Sequence, residues 1–229
     1  MERLQKIIAN SGYTSRRKAE TLIEQNKVTL NGVLAKLGDK ATPEDKIEIE
    51  GKLISSKPKN QYYILNKPKG ILVTKEDPKN RRTIYNLKSL KNLQHLKYVG
   101  RLDAMSEGLL ILTNDGDLIQ KLTHPKHHVT KTYQLRTDPV ITKQHITDIK
   151  EGIPIEERKF YAEITNKNNN TFHIAIHEGR NRIIRKVMEK LNYKIFELKR
   201  ISVASIELGN LQAGEIEEIS EKEIKKLTN

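Results

Sequence analysis

The sequence predicts an α+β protein: a small αα-β module at residues 1–54, a linker at 55–61, and a larger domain at 62–229 with a mixed, mostly antiparallel sheet and flanking helices. Three observations carry this expectation. Hydrophobic spacing changes from helical to alternating within the first 50 residues. The run Ser55-Ser-Lys-Pro-Lys-Asn-Gln61 has no apolar periodicity and contains a proline, as linkers do. Beyond it, strand-like segments outnumber helix-like ones without alternating strictly with them, which disfavours a doubly wound parallel sheet.

In chain order, Leu4, Ile7 and Ile8, then Ala19, Leu22 and Ile23, recur at helical spacing and predict two short helices. Thr14 or Ser15 is the expected N-cap of the second. A hairpin follows through Asn31-Gly32, the pair that favours a type I′ turn, and Ile47-Glu-Ile-Glu alternates as a half-buried strand. In the larger domain, Tyr62-Tyr-Ile-Leu and Ile71-Leu-Val-Thr read as a hairpin across the lysine-rich turn Asn66-Lys-Pro-Lys-Gly70. Asp117 to Leu122 is expected to be a helix, Lys131 to Arg136 a strand and Ile141 to Ile149 a helix. Phe160 to His177 is expected to be a hairpin, 181–192 a helix, and the Lys/Glu-rich tail from Glu221 a short solvated helix.

The composition narrows the partner. With 42 Lys+Arg against 29 Asp+Glu, the chain carries +13 and has a pI near 9.7, which points to a polyanion. Solvating lysines explain much of the excess, but not the arginines clustered at Arg16-Arg17, Arg81-Arg82 and Arg180 to Arg185. Arg16 and Arg17 follow a helix start, where positive charge opposes the helix dipole. A phosphate held at that N-terminus would supply the missing negative charge. The absence of cysteine excludes disulfides and thiolate metal sites. No apolar run approaches the ~20 residues of a membrane span, and the amphipathic N-terminus lacks the pattern of a signal peptide. The expectation is a cytoplasmic monomer with no membrane partner.

Two segments carry the chemistry. Val99-Gly-Arg-Leu-Asp-Ala-Met-Ser-Glu-Gly108 places Asp103 in a short polar loop between Tyr98-Val99 and Leu109 to Leu112. By itself, an Asp after a strand is more often a turn-maker than a catalyst. Glu178-Gly-Arg-Asn-Arg-Ile-Ile-Arg-Lys186 opens a helix on which Arg185 borders the apolar face of Ile183, Ile184, Val187, Met188 and Leu191. From that edge an arginine can reach an interior carboxylate, and Asp103 is the expected partner. His124, His127 and His128 form a polar loop and are not expected to bind metal.

Arg3-Leu-Gln-Lys-Ile-Ile-Ala, Thr14-Ser-Arg-Arg-Lys-Ala-Glu-Thr-Leu-Ile and Lys27-Val-Thr-Leu-Asn-Gly32 resemble the alpha-L RNA-binding module of ribosomal proteins and RNA-modifying enzymes. Tyr63-Ile-Leu-Asn-Lys-Pro-Lys-Gly70, Val99 to Asp103, Ser106 to Gly116, Lys131-Thr-Tyr133 and Glu178 to Arg185 resemble, in order, the motifs of the RsuA/RluB family of ribosomal RNA pseudouridine synthases. Met105 stands where that family commonly has Asp or Asn, and Ile183 where it commonly has Gln.

The resemblance implies cofactor-free conversion of uridine to pseudouridine in ribosomal RNA or a subunit assembly intermediate. Leu4-Gln-Lys and Leu34 to Asp39 look closer to the large-subunit branch. It implies catalytic roles for Asp103, Tyr133 and Arg185. Asp103 would act as nucleophile toward C1′ or as base at C2′, and Tyr133 would stack near the uracil. The target nucleotide must be flipped out of the RNA. Arg101 would fill the vacated space or hold a flanking phosphate, while Lys67, Lys69, Arg180 and Arg182 would grip the backbone, with Arg16 and Arg17 as a second anchor. The alternative is a noncatalytic RNA-binding or ribosome-assembly protein, although such a protein has no use for an acid in an RNA-facing cleft.

Overall fold

The computed structural model describes residues 1–42, 44–54 and 58–227. Ser55, Ser56 and Lys57 of the expected linker lie outside the described residues. The chain divides into two compact units, Met1–Gln61 with Asn114–Gly116, and Tyr62–Thr113 with Asp117–Asn229.

The first unit runs β1 (Glu2–Arg3), α1 (Leu4–Asn10), α2 (Arg16–Glu24), β2 (Val28–Leu30), β3 (Val33–Leu34), β4 (Lys40–Ala41), β5 (Ile47–Ile49) and β6 (Lys52–Leu53). Strands β3-β2-β5-β6 form one antiparallel sheet, and β1 pairs with β4. Asn31 and Gly32 have φ of 51° and 82°, the two positive values that a type I′ turn requires. Ser15 caps α2 by accepting the Lys18 amide at 3.2 Å. Leu4, Ile8, Ala19 and Ile23 pack on Val28, Ile47 and Ile49 in a single small core.

The second unit contains β7 (Tyr62–Lys67), β8 (Lys97–Tyr98), β9 (Glu107–Thr113), α3 (Gly116–Thr123), β10 (Lys131–Asp138), α4 (Lys143–Glu151), β11 (Ile153–Ile155), β12 (Arg158–Phe160), β13 (Glu163–Asn168), β14 (Thr171–Ile176), α5 (Ile183–Lys190), β15 (Lys194–Val203), β16 (Ile206–Glu207), β17 (Ile216–Glu218) and α6 (Glu221–Lys226). Its main sheet has the order β13-β14-β10-β15-β9-β7-β17, with β16 on β15 and β8 on β9. Only the β15–β9 pairing is parallel, so the sheet is mixed and mostly antiparallel, as expected.

The central strand shows why its sequence is continuously apolar. Leu110 and Leu112 of β9 face a core that includes Ile149 of α4 and Ile183, Ile184, Val187 and Met188 of α5. Leu109 and Ile111 face a second core with Leu118 and Leu122 of α3 and Ile224 of α6. A strand covered on both faces needs apolar residues at every position.

Two expectations are corrected. Ile71 to Thr74 forms no strand; it makes a single bridge, Leu72 to Thr83. Both edges of β7 are already taken by β9 and β17, so Ile71 and Val73 are buried as loop anchors instead. The C-terminal helix is not merely solvated, because Ile224 packs into the second core. The long strand β15 and the β11–β12 hairpin are additional to the elements expected from the sequence.

Candidate active site

Asp103 sits in the loop between β8 and β9, and the chain fixes that loop from beneath. The Lys67 ammonium, at the end of β7, donates to the carbonyls of Pro68 at 2.9 Å, Ala104 at 3.3 Å and Ser106 at 2.7 Å. The Gly70 amide adds a bond to the Ala104 carbonyl at 2.7 Å, and the Ser106 amide closes the turn on the Asp103 carbonyl at 3.0 Å. Lys67 is fully buried. Burial pushes its pKa down to about 8, opposed by the charges of Glu107 and Asp103. At neutral pH it remains an ammonium, the form with a donor for each of the three carbonyls.

Arg185 reaches the same loop from α5. Its Nη2 donates to the Met105 carbonyl at 2.9 Å and to Ser106 Oγ at 3.3 Å. Burial lowers its pKa, Asp103's charge opposes that, and Arg182 adds to it. The expected ion pair with Asp103 does not form. The guanidinium instead holds the backbone beside the acid. At Gly108, where β9 begins, φ is +101° and an added Cβ would lie 2.2 Å from the Arg200 carbonyl oxygen. That close approach lets β9 run parallel to β15 directly after the loop.

Asp103 opens onto a cleft of about 660 Å³, within the roughly 300–1,000 Å³ of sites that enclose small ligands. Tyr133, Arg101, Arg180, Arg182 and Arg185 also line it, so six of the ten residues singled out in the sequence meet here. Asp103 and Glu178 are its carboxylates. Glu178 is committed to Arg180, at 2.5 and 2.7 Å, whereas Asp103 makes no ion pair among the described residues. Glu107 does not line the cleft. The arrangement is therefore one uncommitted acid in a cationic hollow, beside a largely buried tyrosine.

Of the expected residues, Lys67, Lys69, Arg16 and Arg17 do not line the cleft. Lys67 is corrected from an RNA contact to a loop anchor, since a fully buried ammonium bonded to three carbonyls has no donor left for a phosphate. Lys69 is exposed and outside the cleft. Arg180 is spent largely on Glu178 and on the carbonyls of Ile155, Arg158 and Lys159. That pins the β11–β12 hairpin to the segment before α5. Arg182 is exposed with φ of 52°, at the N-cap of α5. In the first unit, Arg16 and Arg17 are exposed on the opening turn of α2. Lys131, expected only as part of the Lys131-Thr-Tyr133 motif, and Arg200, not expected at all, also line the cleft. For Arg200 the available signal was an arginine between the apolar residues Leu198 and Ile201 of β15.

Residues 61–190 match the family described as RNA pseudouridylate synthase, and residues 2–47 match the S4 domain. A ribosomal large subunit pseudouridine synthase B of Bacillus subtilis is 38% identical over 236 aligned positions, covering 99% of this chain and 96% of the relative. A protein of the same name from Vibrio vulnificus is 34% identical over 221 positions, covering 90% of this chain and 68% of the relative. A solved structure described as a pseudouridylate synthase superposes with a TM-score of 0.71 at 30% identity, over 99% of this chain and 100% of that one.

Proposed function

The chain belongs to the RNA pseudouridylate synthase family, and from that premise we propose that it isomerises a uridine of large-subunit ribosomal RNA, with Asp103 as the carboxylate that acts on the ribose. The uncommitted acid in a cationic cleft is the observation that carries this reading. The large-subunit target is supported by the names of the Bacillus and Vibrio relatives.

In this reaction the bond between uracil N1 and ribose C1′ breaks, the uracil turns, C5 joins C1′, and the C5 proton is released. An ionised carboxylate can open the sequence as nucleophile at C1′ or as base at C2′. Either role demands that the acid be held still, because a displacement near 1 Å can cost about 10²-fold in rate. Lys67 and Arg185 meet that demand by holding residues 104–106, the backbone that directly follows Asp103. Neither guanidinium nor ammonium pairs with the carboxylate directly, which leaves its oxygens open to substrate. Tyr133 offers its ring to the uracil. Arg101 and Arg182, both on the cleft wall, face the phosphates of a nucleotide that has left its stack.

In this reading the S4 module, residues 1–54, grips the RNA through Arg16 and Arg17, and residues 62–229 carry the chemistry. The substrate is the ribosomal RNA or a subunit assembly intermediate, met in the cytoplasm by a monomer. No helix among the described residues is long and apolar enough to cross a membrane.

The test is tritium release from large- and small-subunit ribosomal RNA labelled at uracil C5, with wild type and Asp103→Asn. Release by wild type alone supports the assignment, and the responding RNA identifies the subunit. Binding without release by either protein would favour a noncatalytic RNA-binding role.

A further inference from the structure

Strands β10 and β15 form the floor of the cleft, with Tyr133 paired opposite Arg200 and Lys131 two residues earlier on the same face of β10. Between the pairs Thr132–Ser202 and Tyr133–Arg200 the register shifts, making Ile201 the extra residue. Bulges of this kind re-aim the side chains beside them and occur next to active sites.

Arg200 is only 3% exposed, yet it lines the cleft. Its Nε donates to the Leu109 carbonyl at 2.7 Å, while its Nη2 is buried with no protein acceptor. A buried charged donor left unpaired is expensive. Lys131 also lines the cleft, and its Nζ is bonded to the Val129 carbonyl at 3.2 Å. Burial, then the charge of Arg200, lower the pKa of Lys131. No carboxylate pairs with either cation among the described residues.

We propose that Lys131 and Arg200 form an anion subsite in the cleft floor that receives a phosphodiester of the RNA strand carrying the target uridine. This rests on the reading of the cleft as an RNA site. A neutral acceptor, such as a uracil carbonyl, would satisfy Nη2 but leave the two cations repelling each other. A phosphate answers both requirements. The charge of Asp103 acts on Lys67 and Arg185, whereas the cation acting on Lys131 is Arg200. Asp103 stands on the loop between β8 and β9, and Lys131 and Arg200 stand on the paired strands of the floor. A nucleotide entering the cleft is oriented with its phosphate on the strands and its ribose toward Asp103.

The experiment measures affinity for an unmodified large-subunit ribosomal RNA transcript across a salt series, for wild type, Arg200→Gln, Arg200→Lys and Lys131→Gln, with tritium release from the same RNA in parallel. Arg200→Gln and Lys131→Gln should each bind roughly tenfold more weakly near physiological salt. Each should flatten the log–log salt dependence by about 0.7 for a lost single-strand phosphate. Arg200→Lys, which keeps the charge, should restore the slope. Unchanged slopes in folded Gln variants would overturn the subsite, even with tritium release intact. Flattened slopes without release from wild type would keep the subsite and remove the synthase reading, and a wild type that neither binds nor releases tritium would remove both. Should Arg200→Gln fail to fold, the half-buried Lys131→Gln alone decides the matter.

Discussion

Lys67→Met replaces the buried loop anchor with an apolar side chain of similar length, and two opposing effects can be sized. At about 1.36 kcal/mol per pH unit, a drop from 10.5 to about 8 means the folded chain bears about 3 kcal/mol for keeping this ammonium buried at neutral pH. The substitution removes that cost. It also strips the Lys67 bond from three carbonyls. Ala104's keeps the Gly70 amide, so the main loss falls on Pro68 and Ser106, at about 1–3 kcal/mol for each buried acceptor left unpaired. The terms nearly cancel, and the melting temperature should move by only a few degrees. Activity should not be spared. With its floor removed, the 103–106 loop is free to shift, and kcat for tritium release should fall by about 10²-fold. The same lysine gives a pH signature. Between pH 8 and 10.5 the unfolded chain holds a proton that the folded chain has released, so wild-type stability gains from this group as pH rises through that window. Lys67→Met should lose that gain. A variant that melts normally and turns over within threefold of wild type would refute the anchoring argument.

Arg185→Ala removes the bonds to the Met105 carbonyl and Ser106 Oγ, and kcat should drop about 10²-fold with less change in RNA affinity, measured by single-turnover kinetics and filter binding. Gly108→Ala forces a Cβ to 2.2 Å from a backbone oxygen at φ +101°; stability should fall by at least about 3 kcal/mol, seen as a melting point lower by roughly 6–12 °C. Arg16→Ala with Arg17→Ala should weaken RNA binding and lower the log–log salt slope by about 1–2, while kcat at saturating RNA stays near wild type.

What the sequence determined by itself was local. Helical spacing gave α1, α2 and α5; Asn31-Gly32 gave its turn, because only residues that tolerate positive φ fit there; alternation gave β5. The cleft loop was legible for the same reason, as Asp103 stands in a short polar stretch between apolar strands. Tertiary structure decided what depended on distant partners. Lys67 looks like a solvent-facing cation in a basic turn, and only the return of residues 104–106 over it supplies the carbonyls that make burial tolerable. Arg185 sits 82 positions beyond Asp103 in the chain, and whether it meets the carboxylate or the backbone beside it depends on how α5 packs on the sheet. Ile71 to Thr74 has strand composition, but β7 had no free edge to offer it. Arg200 entered the site through the parallel pairing of β15 with β9, at a glycine that admits the approach. Spacing along the chain fixes which face a side chain takes; what waits on that face is settled by strands and helices brought together from across the fold.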